Sequence, residues 1–223
     1  MRVTGVDACR GGWVAVSLDG AVPATVRVHE TLTGLLGPEG DIGRAAVTGI
    51  DMPLGLLEAG WREADLAARA RLGPRRSSVF AIPPRAVWEQ ESYQAAGERC
   101  RALTGQGFSI QAWGLRAKLL EADRYRETCG HPLYEVHPEL AFGAMAGAPL
   151  AYSKHTEAGR DQRQALLTQA GIALPAVRLA PVTDTLDAAA VAWSARRIAG
   201  GEAMVLPDKP QRDERGREIA IRY

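Results

Sequence analysis

Residues 2–7 (RVTGVD) and 12–18 (GWVAVSL) are short apolar runs separated by a glycine-rich turn, and 22–29 (VPATVRVH) alternates apolar with polar positions. Short apolar or alternating runs bounded by turn residues read as strands. The pattern predicts a three-stranded antiparallel meander, followed by a short helix at 31–36. The run 45–51 (AAVTGID) is apolar and β-branched up to Asp51, and Pro53 breaks it. A continuous apolar run of this kind predicts a buried fourth strand ending at Asp51.

Further on the period changes. Residues 61–71 carry Trp61, Ala64 or Asp65, Ala68 and Arg71 at helical spacing, and Gly73-Pro74 ends that helix. Residues 75–107 show no sustained period and contain Pro83-Pro84, so they read as irregular. The segment 109–128 reads as one long amphipathic helix through Ile110, Trp113, Leu115, Leu119, Leu120 and Tyr125. The next strand candidate is 132–137 (PLYEVH). So long a passage between two strands is no simple connection, and about 58–130 reads as a helical insertion in a single domain. Helices are expected at 138–145 and 159–170, joined by a polar segment around Ser153, Lys154 and His155. The clearest helix is 184–199, opened by Asp and Thr, closed by two arginines and stopped by Gly200-Gly201. The charged tail 207–218 (PDKPQRDERGRE) reads as a loop, and 219–223 as a last short strand. The expected class is α/β, with a mixed sheet of an antiparallel meander plus parallel strands, flanked by helices.

At 223 residues with 46% hydrophobic and 24% charged, the chain is globular and long enough to bury a core. Its net charge of +1 gives no bulk attraction to nucleic acid or an anionic membrane, so such binding would have to come from a local patch. Of 27 basic residues only Lys118, Lys154 and Lys209 are lysine, leaving 24 arginines, which looks like a coding bias and weakens arginine count as a functional signal. The same scarcity makes Lys154 stand out. Cys9, Cys100 and Cys129 are odd in number and far apart, which suits a reduced cytoplasmic protein rather than a disulfide or zinc framework. No apolar leader precedes Asp7 and no stretch is long enough to span a bilayer, so no membrane partner is expected.

Carboxylates at the ends of buried strands are costly to desolvate and need a hydrogen bond, a cation or a metal. Asp7 interrupts the first strand, Asp51 ends the fourth, Glu135 lies in the later strand, and Asp184 and Asp187 share a helix face three residues apart. Each alone has a structural explanation as a turn acceptor or helix-start carboxylate. Together, if the strands are neighbours and the helix packs across them, they form an oxygen-rich site suited to Mg²⁺ or Mn²⁺ rather than zinc.

The segments GVDACRGGWVAV, IDMPLGL, RARLGPRRSSVF (69–80), YEVHPELAF, SKHTEAGRDQR (153–163) and DTLDAAAVAW together resemble the uncharacterised family of predicted ribonuclease H-like nucleases (domain of unknown function 429), over nearly the whole chain. Asp7 and the D-x-x-D-A opening at Asp184 and Asp187 also resemble RuvC-type resolvases, whose corresponding residues bind catalytic metals. RuvC-type enzymes carry a glutamate where this chain has Asp51, and Glu135 stands on a later strand as in other branches, so either of the two can complete the site.

The resemblance implies a ribonuclease H-like fold and a metal-dependent nuclease hydrolysing phosphodiester bonds of DNA or RNA. Two divalent ions about 4 Å apart would be held by Asp7, by Asp51 or Glu135, and by Asp187 or Asp184. Substrate candidates are Arg10, Arg75, Arg85 and Lys154 for phosphate, and His137 as a proton shuttle. A solvated arginine surface and a core histidine are the plain alternatives. A homo-oligomer would suit a junction-cutting role, though nothing in these residues requires one. Two other functions compete: a non-catalytic metal- or nucleotide-binding module of the same fold, and a phosphotransferase of the actin and sugar-kinase type. The latter usually needs two such domains.

Overall fold

In the computed structural model, residues 1–20, 22–40, 42, 45–130, 132–176 and 179–223 are described, residue 22 by its backbone alone. The meander forms as the alternation dictates. Strand β1 (Arg2–Cys9) pairs antiparallel with β2 (Gly12–Asp19), which pairs antiparallel with β3 (Val22–His29). Thr31 caps helix α1 (Leu32–Leu36) by accepting the Gly34 N–H on its hydroxyl. Strand β4 (Val47–Ile50) runs parallel to β1 with Gly5 opposite Gly49 and Val6 opposite Ile50.

Between β4 and the next strand lie α2 (Glu63–Leu72), a 3₁₀ segment (Gly73–Ser78), α3 (Arg85–Trp88), α4 (Tyr93–Thr104), α5 (Ile110–Trp113) and α6 (Arg116–Thr128). Two expectations need correction here. Residues 75–107 are not irregular throughout: Ser92 caps α4 through the Ala95 N–H, and Gly105 closes it in the left-handed conformation. The single helix expected over 109–128 is two, broken at Gly114 and Leu115.

Strand β5 (Leu133–Val136) adds parallel to β4, followed by α7 (Pro138–Ala146), α8 (Glu157–Gln169), α9 (Val182–Gly200), β6 (Val205–Arg212) and β7 (Glu218–Arg222). The tail expected as a loop therefore contributes an edge strand. Its two prolines lack N–H donors, which an edge tolerates, and the β6–β7 register shifts between Leu206 and Gln211. The seven strands run in the order β3-β2-β1-β4-β5-β7-β6, with β1, β4, β5 and β7 parallel to one another. This mixed sheet flanked by helices is the α/β arrangement expected of a ribonuclease H-like fold.

The sheet separates two cores. On one face Val3, Val14, Val16 and Val47 pack with Phe142 of α7, Leu167 of α8 and the alanines of α9. On the other, Val6, Trp13, Ala15, Ile50 and Leu133 pack with Leu32 and Leu35 of α1, Trp88 of α3 and Leu119 and Ala122 of α6. Helix α9 is buried along most of its length, which explains its run of small residues. A Cβ on Gly5 would stand 2.0 Å from the Ala192 nitrogen and 2.2 Å from the Ala188 carbonyl oxygen, so only glycine lets α9 lie on β1. Among the described residues no disulfide joins the cysteines, and no helix is long and apolar enough to cross a membrane.

Candidate functional site

The register fixes which carboxylates meet. Side chains two apart on a strand share a face, so Asp7 projects on the same side as Gly5, where α9 lies. The β1–β4 pairing continues past Ile50, with the Asp51 N–H donating to the Val6 carbonyl at 2.8 Å. Asp51 thus stands beside Asp7 on the neighbouring strand end. Helix α9 starts at Val182, which puts Asp184 in its first turn, where the helix dipole favours negative charge, and Asp187 one turn later. Asp7, Asp51, Asp184 and Asp187 all line one cavity of about 520 Å³.

Glu135 is placed differently. It pairs in register with Ile50 and lies two residues from Leu133, both of the opposite core, so its side chain leaves the sheet on the face away from α9. Its Oε2 accepts from Arg62 Nη2 at 2.5 Å and from the Leu54 N–H at 2.8 Å. Glu135 touches the cavity wall, but Arg62 already neutralises it. Between the two carboxylates left open by the sequence, Asp51 is therefore the one that stands beside Asp7.

Burial is the main force on the three deepest groups. Burial and the neighbouring Asp51 and Asp187 carboxylates hold Asp7 well above the usual carboxylate range. Burial pushes Asp51 up to about 7 against the opposing Lys154 ammonium, with Glu135 and Glu139 adding to the rise. Asp187 is raised by burial to about 6, again against Lys154. Lys154 Nζ donates to Asp187 Oδ2 at 2.5 Å, while Asp187 Oδ1 is buried without a hydrogen-bond partner.

The other predicted contacts divide. His137 lines the cavity and its Nε2–H donates to the Ser78 carbonyl at 3.1 Å. That bond leaves Nδ1 as a bare acceptor, buried and unpartnered, and burial pushes the imidazole pKa down. Arg75 also lines the cavity, and its Nε and Nη2 fork onto the Leu150 carbonyl at 3.1 and 3.0 Å. Together these bonds tie the 3₁₀ segment to the start of α7 and to the α7–α8 loop, forming a strap beside the acidic wall. Arg85 lies elsewhere, donating to Asp123 Oδ2 at 2.8 Å within the helical stretch. Arg10 is exposed in the β1–β2 turn.

Sequence reasoning missed the cations that hold this framework. Arg62, 1% exposed, bridges Asp65 and Glu135, and the equally buried Arg163 pairs with Glu139 while lying over the Phe142 ring. The Arg62–Asp65 spacing of three on a helix start was a usable signal, lost among so many arginines.

Oxygen-only donors and the buried, unpartnered Asp187 Oδ1 fit a hard divalent cation in chemistry. Among the described residues, no three His, Cys, Asp or Glu side chains are grouped closely enough to hold an ion as they stand. Lys154 occupies one of the two Asp187 oxygens, Oδ2.

Fold and site together define an α/β protein with a ribonuclease H-like sheet and an acidic cavity at the ends of its central parallel strands. The model of the family described as "Protein of unknown function (DUF429)" matches residues 5–212, and the chain belongs to that family. No curated protein and no solved structure matches it significantly.

Proposed function

We propose that the chain is a divalent-metal-dependent phosphodiester hydrolase acting on nucleic acid, with Mg²⁺ or Mn²⁺ as its ion. The observation that carries this reading is the placement of Asp7 and Asp51 on adjacent strand ends, facing Asp184 and Asp187 of α9 across one cavity. Asp7, Asp51, Asp184 and Asp187 share one bonded cation, the Lys154 ammonium, so this wall of the cavity calls for further positive charge. The same carboxylates are the ones the family resemblance assigns to metal, apart from Glu135.

Asp7 and Asp51 would hold the ion, which when bound supplies a Lewis acid and a water of lowered pKa. The remaining work belongs to the chain. Lys154 places an ammonium at the acidic wall, where a phosphate oxygen can approach it. His137 offers an unprotonated Nδ1 as proton acceptor, its tautomer fixed by the Ser78 carbonyl. Ser77, Ser78 and Ser153 supply hydroxyls along the rim. Cavity size favours a second substrate class, since about 520 Å³ lies within the range of small-ligand pockets, and a single nucleotide or small phosphodiester fits better than a duplex.

The chemistry is tested with bis(p-nitrophenyl) phosphate and Mn²⁺. Metal-dependent release of nitrophenol that falls at least about a hundredfold in Asp7→Asn supports the reading, in line with what loss of a main electrostatic group costs. Release that survives in Asp7→Asn, or none at all with Mn²⁺ or Mg²⁺, argues against it.

A further inference from the structure

Lys154 enters the cavity from the loop between α7 and α8. Its side chain is 36% exposed, whereas that of Asp187, its partner at 2.5 Å, is 2% exposed. The ammonium lines the cavity with the aspartates, and its charge also reaches Asp51 and Asp7. An ammonium is a compact point charge on a flexible stem, closer to a metal ion in shape than a planar guanidinium is. In a chain with 24 arginines and three lysines, the basic side chain that pairs with Asp187, among the four aspartates Asp7, Asp51, Asp184 and Asp187, is a lysine, whereas arginines pair with Asp65, Glu135 and Glu139 of the cavity wall.

The charges then sort into pairs. Lys154 neutralises Asp187. Asp184 sits in the first turn of α9, where the helix dipole supports it. Asp7 and Asp51, when ionised, carry two negative charges side by side with no cation bonded to either in the described structure. One divalent ion matches that pair.

We propose that the cavity binds a single divalent ion at Asp7 and Asp51, with Lys154 as a built-in second cation that excludes another ion from Asp187. This rests on the metal reading above and departs from the two-ion expectation drawn from family resemblance. It assigns Lys154 to holding a position, and Asp187 Oδ2 to anchoring Lys154, so that Asp187 offers no more than its unpartnered Oδ1 to the ion.

The number of Mn²⁺ ions bound per chain tests this, measured at saturation by isothermal titration and by the free Mn²⁺ paramagnetic signal. The wild type binds one, and so does Lys154→Arg, which retains the charge. Lys154→Met, which keeps the stem and loses the charge, binds two. Asp187→Asn still binds one, which keeps the test decisive if Lys154→Met does not fold. Two ions in the wild type, one unchanged ion in Lys154→Met, or loss of the ion in Asp187→Asn each overturns the role of Lys154 and leaves the metal reading standing. No Mn²⁺ bound by any of these proteins overturns the metal reading itself, and this inference with it.

Discussion

Gly5 lies against Ala192 so closely that a Cβ would stand 2.0 Å from the Ala192 backbone nitrogen. That contact seats α9 on β1, and with it sets Asp187 opposite Asp7. Backbone cannot yield as a side chain does, so Gly5→Ala is expected to destabilise the fold by about 3 kcal/mol or more. Urea unfolding followed by circular dichroism measures this. A loss below about 0.5 kcal/mol would mean that α9 is not held at Gly5.

Arg62 and Glu135 give a second prediction, because they separate a framework carboxylate from a cavity one. Arg62→Met leaves Glu135 and Asp65 buried without their cation and is expected to cost about 3–5 kcal/mol. Glu135→Gln should lower stability while Mn²⁺ binding persists. Asp51→Asn should do the reverse, keeping the fold and losing the ion. Loss of Mn²⁺ binding in a folded Glu135→Gln protein would return Glu135 to the site.

Burial raises Asp51 and Asp65 to about 7 and Asp187 to about 6, against about 4 for an exposed aspartate. A carboxylate whose pKa is higher in the folded state gives stability that is present below the unfolded pKa and lost as pH rises through the folded one. The metal-free protein should therefore lose stability between about pH 4, the unfolded value, and about pH 7, the highest folded one. Asp65→Asn, which still offers an oxygen to the Ile82 N–H, should flatten that slope. Added Mn²⁺ should restore more stability at pH 8 than at pH 5, since bound protons compete with it. Unfolding midpoints across this range in the two proteins decide the matter, and a slope identical in Asp65→Asn would remove Asp65 from the account.

What the sequence disclosed follows from how local each signal is. Strands β1 to β4 and helix α9 were legible because their period and their glycine, proline or capping boundaries lie within a few residues. Strand β6 was hidden because prolines and charges suit an exposed edge as well as a loop, and only pairing with β7 tells them apart. Helix α4 was hidden by Gly97 within it and by its polar sequence, although Ser92 and Gly105 marked both ends. Four cavity aspartates were legible as carboxylates interrupting apolar segments. Alternation showed that Glu135 shares a face with Leu133, but which face that is depends on the register with Ile50, a long-range fact. The pairing of Lys154 with Asp187 spans 33 positions and left no trace beyond the rarity of lysine.

The most direct measurement is cleavage of labelled single-stranded, duplex, hybrid and branched nucleic acids and a dinucleotide in Mn²⁺ or Mg²⁺, comparing the wild type with Asp7→Asn and Asp51→Asn. The account predicts metal-dependent hydrolysis that both substitutions abolish in folded proteins, with the smallest or single-stranded substrates cut best. Cleavage that persists in either variant, or that needs no divalent ion, would contradict it.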